Sequence, residues 1–245
     1  MKDDETPFPV DFPPGTTPED KSDLLRTPMV RRWIDAMAER FSVSRVAIVS
    51  VDWTFRRPRR ALFVKLRADA RDRVGRPLNG IVLLRGDAVG ILVVLRVEGE
   101  AEPRLLLVRQ ARVPAAEPAL AEIPAGMMDH GSENPLDVAV RELEEETGLK
   151  AAPSEMVDLL PNHPDGYLSS VGLMDERLFL YAWEKSVTRA ELEEICRGEH
   201  GEGEENEFIA LETVPASRGA ELRDGKSLTA WLLWRARENE RKEST

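Results

Sequence analysis

The sequence predicts an α+β fold: a mixed sheet flanked by helices, with a smaller N-terminal region of one helix and strands. Three observations predict it. Short runs rich in β-branched and apolar residues are bounded by Pro, Gly and Asp, other stretches repeat apolar residues at helical spacing, and the two kinds are interspersed without steady strand–helix–strand alternation. The 245 residues, 42% hydrophobic and 32% charged, suffice for one large domain or for a domain with a small appendage.

Residues 1–21 are rich in Pro, Asp and Thr with scattered apolar positions, and read as a flexible tail. Thr27-Pro28 then supplies a helix start, and Met29, Trp33, Met37 and Phe41 recur at about one turn each, so one amphipathic helix follows. Residues 45–53, 60–66, 80–84, 88–96 and 104–109 read as largely antiparallel strands separated by turn residues. The second half mixes types: a helix at 135–147, a strand at 177–183, a short helix at 188–196, a strand at 207–211 and a last helix at 226–241.

Charge and composition exclude several function classes. With 34 Lys and Arg against 45 Asp and Glu, the formal net charge is −11, which repels a phosphate backbone, so no nucleic-acid partner is expected. The basic run Arg56-Arg57-Pro58-Arg59-Arg60 is a local exception that keeps capped RNA as a minor alternative. No apolar stretch approaches the ~20 residues that span a bilayer, and the acidic start lacks an export pattern, so no membrane partner is expected. A single cysteine, Cys196, forms no internal disulfide and fits a reducing, cytoplasmic setting. His130, His163 and His200 show no zinc-ligand spacing.

The chemically informative stretch runs from Glu122 to Leu149. Asn134 suits the N-cap of its helix, Pro135 the first turn and Gly148 the position just past the end. At ~100° per residue, Leu136, Ala139, Val140, Leu143 and Thr147 share one face, and Glu142, Glu145 and Glu146 share a neighbouring one. Two such charges about 6 Å apart at an effective dielectric near ~20 repel by ~3 kcal/mol before screening. Arg141 offsets part of this through its i+4 partner Glu145. A hard divalent cation offsets more, because it takes oxygen ligands. An isolated Glu-rich run is ordinarily a solvated face. Here a glycine-containing loop leads straight into a capped helix, with Arg141 preceding the carboxylates.

Those residues resemble a known family. Arg141-Glu142-Leu143-x-Glu145-Glu146-x-Gly148-Leu149, with Glu133 eight positions before Arg141 and Gly126 upstream, is similar to the Nudix box of diphosphate hydrolases. The spacing from Gly126 to Glu133 holds one residue more than the family pattern. Arg109-Gln110-Ala-Arg112-Val-Pro114 followed by Glu122-Ile-Pro-Ala-Gly126 is similar to the ADP-sugar pyrophosphatase branch. The order of Trp33, Val51-Asp52-Trp53, Lys65, Arg85-Gly86, Asp175-Glu176 and Lys226 resembles plant-type ADP-glucose and ADP-ribose hydrolases of that branch.

The resemblance implies an α/β/α sandwich and hydrolysis of the diphosphate bond of ADP-ribose or ADP-glucose to AMP and a sugar phosphate. It implies Mg²⁺, with Mn²⁺ as a substitute, held by Glu142 and Glu146, with Glu145 as ligand or partner and the Ala125 carbonyl as a further donor. Arg141 orients the glutamates. The general base is Glu176, on the loop after the box, with Glu145 as the runner-up. Arg112 grips the diphosphate, Arg85 is a second candidate, Trp53 stacks on adenine, and Glu122 lies beside the substrate. The implied organisation is a flexible tail at 1–21, a helix-and-strand region at 22–85 that pairs two copies in a homodimer, and a catalytic domain at 86–245. Other Nudix substrates (a dinucleotide, coenzyme A, a nucleoside triphosphate) and a catalytically weak nucleotide-sugar sensor or scaffold are the alternatives.

Overall fold

The computed structural model describes residues 5–54, 59–128, 134–197, 199–200 and 209–243. The chain forms two compact units, the first made of residues 1–87 and 168–177, the second of 88–167 and 178–245.

The first unit opens with β1 (Val10–Asp11) and two helices, α1 (Pro18–Arg26) and α2 (Pro28–Arg40), where the sequence reading expected a tail and one helix. The reason is local chemistry. The Thr17 side chain accepts the Asp20 N–H, Pro18 occupies the first turn, and Glu19 and Asp20 favour the positive helix start. Phe8, Leu24 and Leu25 are buried with Met29, Val30 and Ile34 of α2, so the early residues recover by burial what their ordering costs. The described part of the expected tail is thus a strand and a helix start.

β2 (Ser42–Trp53), β3 (Ala61–Arg71) and β4 (Ile81–Leu84) pair antiparallel, and β1 joins β2 in parallel, giving the order β1-β2-β3-β4. The alternation of Val64, Leu66, Ala68 and Ala70 with exposed residues along β3 places one face of this sheet on the core. The segment 168–177 belongs to this unit. The Leu83 N–H donates to the Leu173 carbonyl at 2.9 Å, and Asp175 accepts the Arg85 N–H at 2.8 Å.

The second unit contains β5 (Ala88–Val97), β6 (Arg104–Arg112), β7 (Glu117–Glu122), β8 (Ala125–Met127), α3 (Pro135–Thr147), β9 (Val157–Asp158), β10 (Tyr167–Leu168), β11 (Arg177–Val187), α4 (Arg189–Ile195), β12 (Glu199–His200), β13 (Ile209–Pro215) and α5 (Gly225–Glu243). Its sheet runs β10-β11-β5-β6-β13-β12, with β7 on β6, β8 on β5 and β9 on β11. β11 lies parallel to β5 while β6, β8 and β13 pair antiparallel, so the sheet is mixed as expected.

β5 is buried along nearly its whole length, which is why it reads as a continuous apolar run rather than an alternating one. One face packs Val138, Ala139 and Leu143 of α3 with Leu192 of α4. The other packs Ala230, Trp231 and Trp234 of α5. Among the described residues no helix is long and apolar enough to cross a membrane.

Candidate active site

α3 begins where the sequence predicts. Asn134 accepts the Leu136 N–H, Pro135 takes the first position, and Gly148 ends the helix at φ +69°, a left-handed conformation that favours glycine. The apolar stripe on Val138, Ala139 and Leu143 anchors the helix on the sheet and carries Glu142 and Glu146 with it into burial. Glu145, a position between them, is more exposed and pairs with Arg141 at 2.9 Å.

The backbone opposite is equally constrained. Ile91 donates its N–H to the Pro124 carbonyl at 2.8 Å, and β8 pairs with β5 in the register Ala88–Met127, Val89–Gly126, Gly90–Ala125. Glu146 Oε2 accepts the Ala125 N–H at 2.9 Å. At Gly126 an added Cβ would lie 1.9 Å from the Glu142 carboxyl carbon and 2.2 Å from each of its oxygens. Two consecutive residues of β8 therefore receive two carboxylates one helical turn apart, and only glycine leaves room for the first.

Arg141 spans the acidic face, meeting Glu142 Oε1 and Glu145 Oε2 at 2.9 Å each. Beside it lies an open depression of about 550 Å³ lined by Asp137, Val140, Arg141, Glu144, Glu145 and Pro153. Among the described residues no three acidic, His or Cys side chains form a ready-made metal cage. The donor set nonetheless fits Mg²⁺, which is generally held by one or two carboxylates together with water and substrate phosphates rather than by an all-protein cage. The structure ties Ala125 to this cluster through its N–H. Glu133 and His130 lie outside the described residues, as do Arg56, Arg57 and Pro58 of the basic run.

Arg112 and Glu122 meet in a second cluster. Arg112 Nε reaches Glu122 Oε1 at 2.7 Å and Nη2 reaches Oε2 at 3.2 Å, a two-point contact between a fork and a carboxylate. The Lys226 ammonium binds Glu122 Oε2 as well, and also Asp224 at 3.0 Å. Burial raises the Asp224 carboxyl, but the Lys226 charge and the Ser227 hydrogen bonds outweigh it and hold the group below the ordinary value. The sequence carries a signal for this partner set, since Asp224-Gly-Lys-Ser has the form of a capped helix start.

Within the first unit, Glu176 is buried, pairs with Arg85 Nη1 at 2.7 Å and accepts the Ser169 hydroxyl. Asp87 sits between two arginines, with Arg32 Nη1 at 2.6 Å and Arg177 Nε at 3.0 Å, and Arg32 also reaches Asp175 at 3.4 Å. Trp53, expected on the adenine, lies partly buried at the end of β2 and packs on the first unit's core. The structure thus brings Arg141, Glu142, Glu145, Glu146 and Ala125 together, Arg112 with Glu122, and Arg85 with Glu176. The arginine pairs of Asp87, formed by residues distant in sequence, were not foreseen.

A mixed sheet carrying a glycine turn against an acidic helix defines an α+β hydrolase domain of the Nudix type. The Nudix family profile, described as NUDIX domain, matches residues 84–232, more than half of the chain, and the protein belongs to that family of hydrolases. Over 214 residues it is 31% identical to Nudix hydrolase 14, chloroplastic, of Arabidopsis thaliana, covering 82% of this chain and 67% of the relative. It is 34% identical over 140 residues to an ADP-ribose pyrophosphatase of Haemophilus influenzae, covering 54% of this chain and 56% of that protein. With an ADP-ribose pyrophosphatase of Bacillus subtilis it shares 29% identity over 139 residues, covering 57% and 65%. The chain therefore spans between about half and two thirds of these relatives. A crystal structure described as an ADP compounds hydrolase shares the fold at TM-score 0.52 and 17% identity, covering 82% of this chain and 97% of that one.

Proposed function

We propose that the protein hydrolyses the diphosphate bond of an ADP-sugar, ADP-ribose or ADP-glucose, to AMP and a sugar phosphate. The observation that carries the reading is the reception of Glu142 and Glu146 by Ala125 and Gly126, which holds two like charges one turn apart against a fixed strand. The ADP-ribose pyrophosphatases among the relatives support the substrate class.

When bound, Mg²⁺ neutralises charge on the diphosphate and lowers the pKa of coordinated water. Glu142 and Glu146 would hold it, and Mn²⁺ would substitute. Arg141 keeps Glu142 and Glu145 from splaying apart. Arg112 presents a planar, multi-donor group to phosphate oxygens, backed by Glu122. Arg85 is the second candidate for that contact. Glu176 is the proposed base, accepting a proton from the attacking water, with Glu145 the alternative. Trp53 is the proposed adenine contact. We read the protein as a cytoplasmic homodimer joined through residues 22–85, ahead of the catalytic domain at 86–245. The single cysteine supports the compartment, and the strands in excess of the catalytic domain support the pairing.

A substrate panel with Mg²⁺ tests this. Turnover of ADP-ribose or ADP-glucose is expected, with a fall in kcat of more than about a hundredfold for Glu146→Gln. Preference for coenzyme A or a triphosphate would replace the substrate class, and full activity in the variant would remove the carboxylate assignment.

A further inference from the structure

The Arg112 cluster has a dry interior and one wet end. The Glu122 side chain is 3% exposed and that of Lys226 13%, whereas Arg112 is 37% exposed. A carboxylate this buried is costly unless paired, and a single guanidinium fork would already pair it. Here Lys226 binds the Oε2 that Arg112 also uses.

Lys226 is itself fixed from the helix side. Asp224 binds its ammonium and accepts the Ser227 N–H at 3.0 Å and the Ser227 hydroxyl at 2.6 Å. The Ser227 oxygen in turn accepts the Ile123 N–H at 2.9 Å, joining the start of α5 to the residue next to Glu122.

Resting on the ADP-sugar reading, we propose that Lys226 is a positioning residue for substrate binding. It holds the Glu122 carboxylate at Oε2, which fixes the orientation in which that carboxylate meets Arg112 and so presents the guanidinium to the diphosphate. Lys226 itself stays behind Glu122 and takes no part in bond cleavage. It acts through KM and leaves kcat alone.

Steady-state kinetics with ADP-ribose at fixed ionic strength test the proposal on wild type, K226Q, K226R, R112A and the K226Q/R112A pair. K226Q, which retains a donor but no charge, is expected to raise KM about tenfold with kcat within about twofold, and K226R to return KM to within about threefold of wild type. In the R112A background the same K226Q change is expected to move KM less than about twofold, because the effect passes through Arg112. D224N keeps a capping side chain but removes the charge that fixes Lys226 from the helix side, so KM is expected to rise about threefold with kcat within about twofold. This variant carries the test should K226Q fail to fold.

An unchanged KM in folded K226Q, an equal rise with Arg112 absent, a loss confined to kcat, or an unchanged KM in folded D224N would each overturn the proposal. Wild-type protein that turns over no ADP-sugar would instead overturn the reading beneath it.

Discussion

In the first unit Asp87 lies between the guanidinium forks of Arg32 and Arg177, whereas in the second Glu142 and Glu146 sit one turn apart on α3 and are received by Ala125 and Gly126. Both units bury carboxylates. The first matches acid with arginine from separate stretches of chain, a fixed tie between opposite charges. The second holds like charges close together, with Arg141 bridging two of them from a partly exposed position. Neighbouring buried anions raise the local negative potential, which costs stability unless a cation offsets it. The arginine ties of Asp87 serve the fold, and the acidic turn of the second unit fits a bound cation.

The largest effect expected from this contrast is at Gly126. Gly126→Ala would place a Cβ inside contact distance of the Glu142 carboxyl, and that carboxylate must move. Since a displacement of about 1 Å can cost on the order of a hundredfold in rate, kcat is expected to fall about that far while the melting temperature changes little. Measured kcat within threefold of wild type would erase the distinction between the two kinds of burial.

Asp87→Asn comes next and should act on stability. Removing one charge from a buried pair leaves its partners uncompensated, and denaturant unfolding is expected to show a loss of about 3 kcal/mol. The same residue sets a pH dependence. Burial raises the Asp87 carboxyl, but hydrogen bonds from Arg177 and Arg32 and their charges more than offset this and hold it below its ordinary value of 3.8. A folded value below the unfolded one stabilises fully above pH 3.8, and that contribution is lost as pH falls through the lower folded value. Wild type should therefore lose more stability than Asp87→Asn in acid titrations below that point. Parallel curves would show that the arginine tie contributes nothing.

Much of α3 was legible because its signals are local: Asn134, Pro135 and Gly148 mark the ends, and one apolar stripe sets the buried face. α1 was not, because its body is polar and only Leu24 and Leu25 are buried, although Thr17-Pro18-Glu19-Asp20 marks its start. β7 and β8 are short and contain Pro118 and Gly126, which read as turn; the flanking strands β6 and β5 supply their pairing. The box carboxylates could be placed by helical spacing alone. The ties of Asp87 to Arg32, of Glu122 to Lys226 and of Glu176 to Arg85 could not, since each pair lies roughly fifty to a hundred positions apart along the chain, and only the folded pairing brings them together.

The central claim is that Glu142 and Glu146 hold a divalent cation. Mn²⁺ titration followed by electron paramagnetic resonance, with AMP present, addresses it directly in wild type, Glu142→Gln and Glu146→Gln. Saturable binding in wild type that weakens at least about tenfold in both variants is the predicted result. Equal affinity in all three proteins would contradict it.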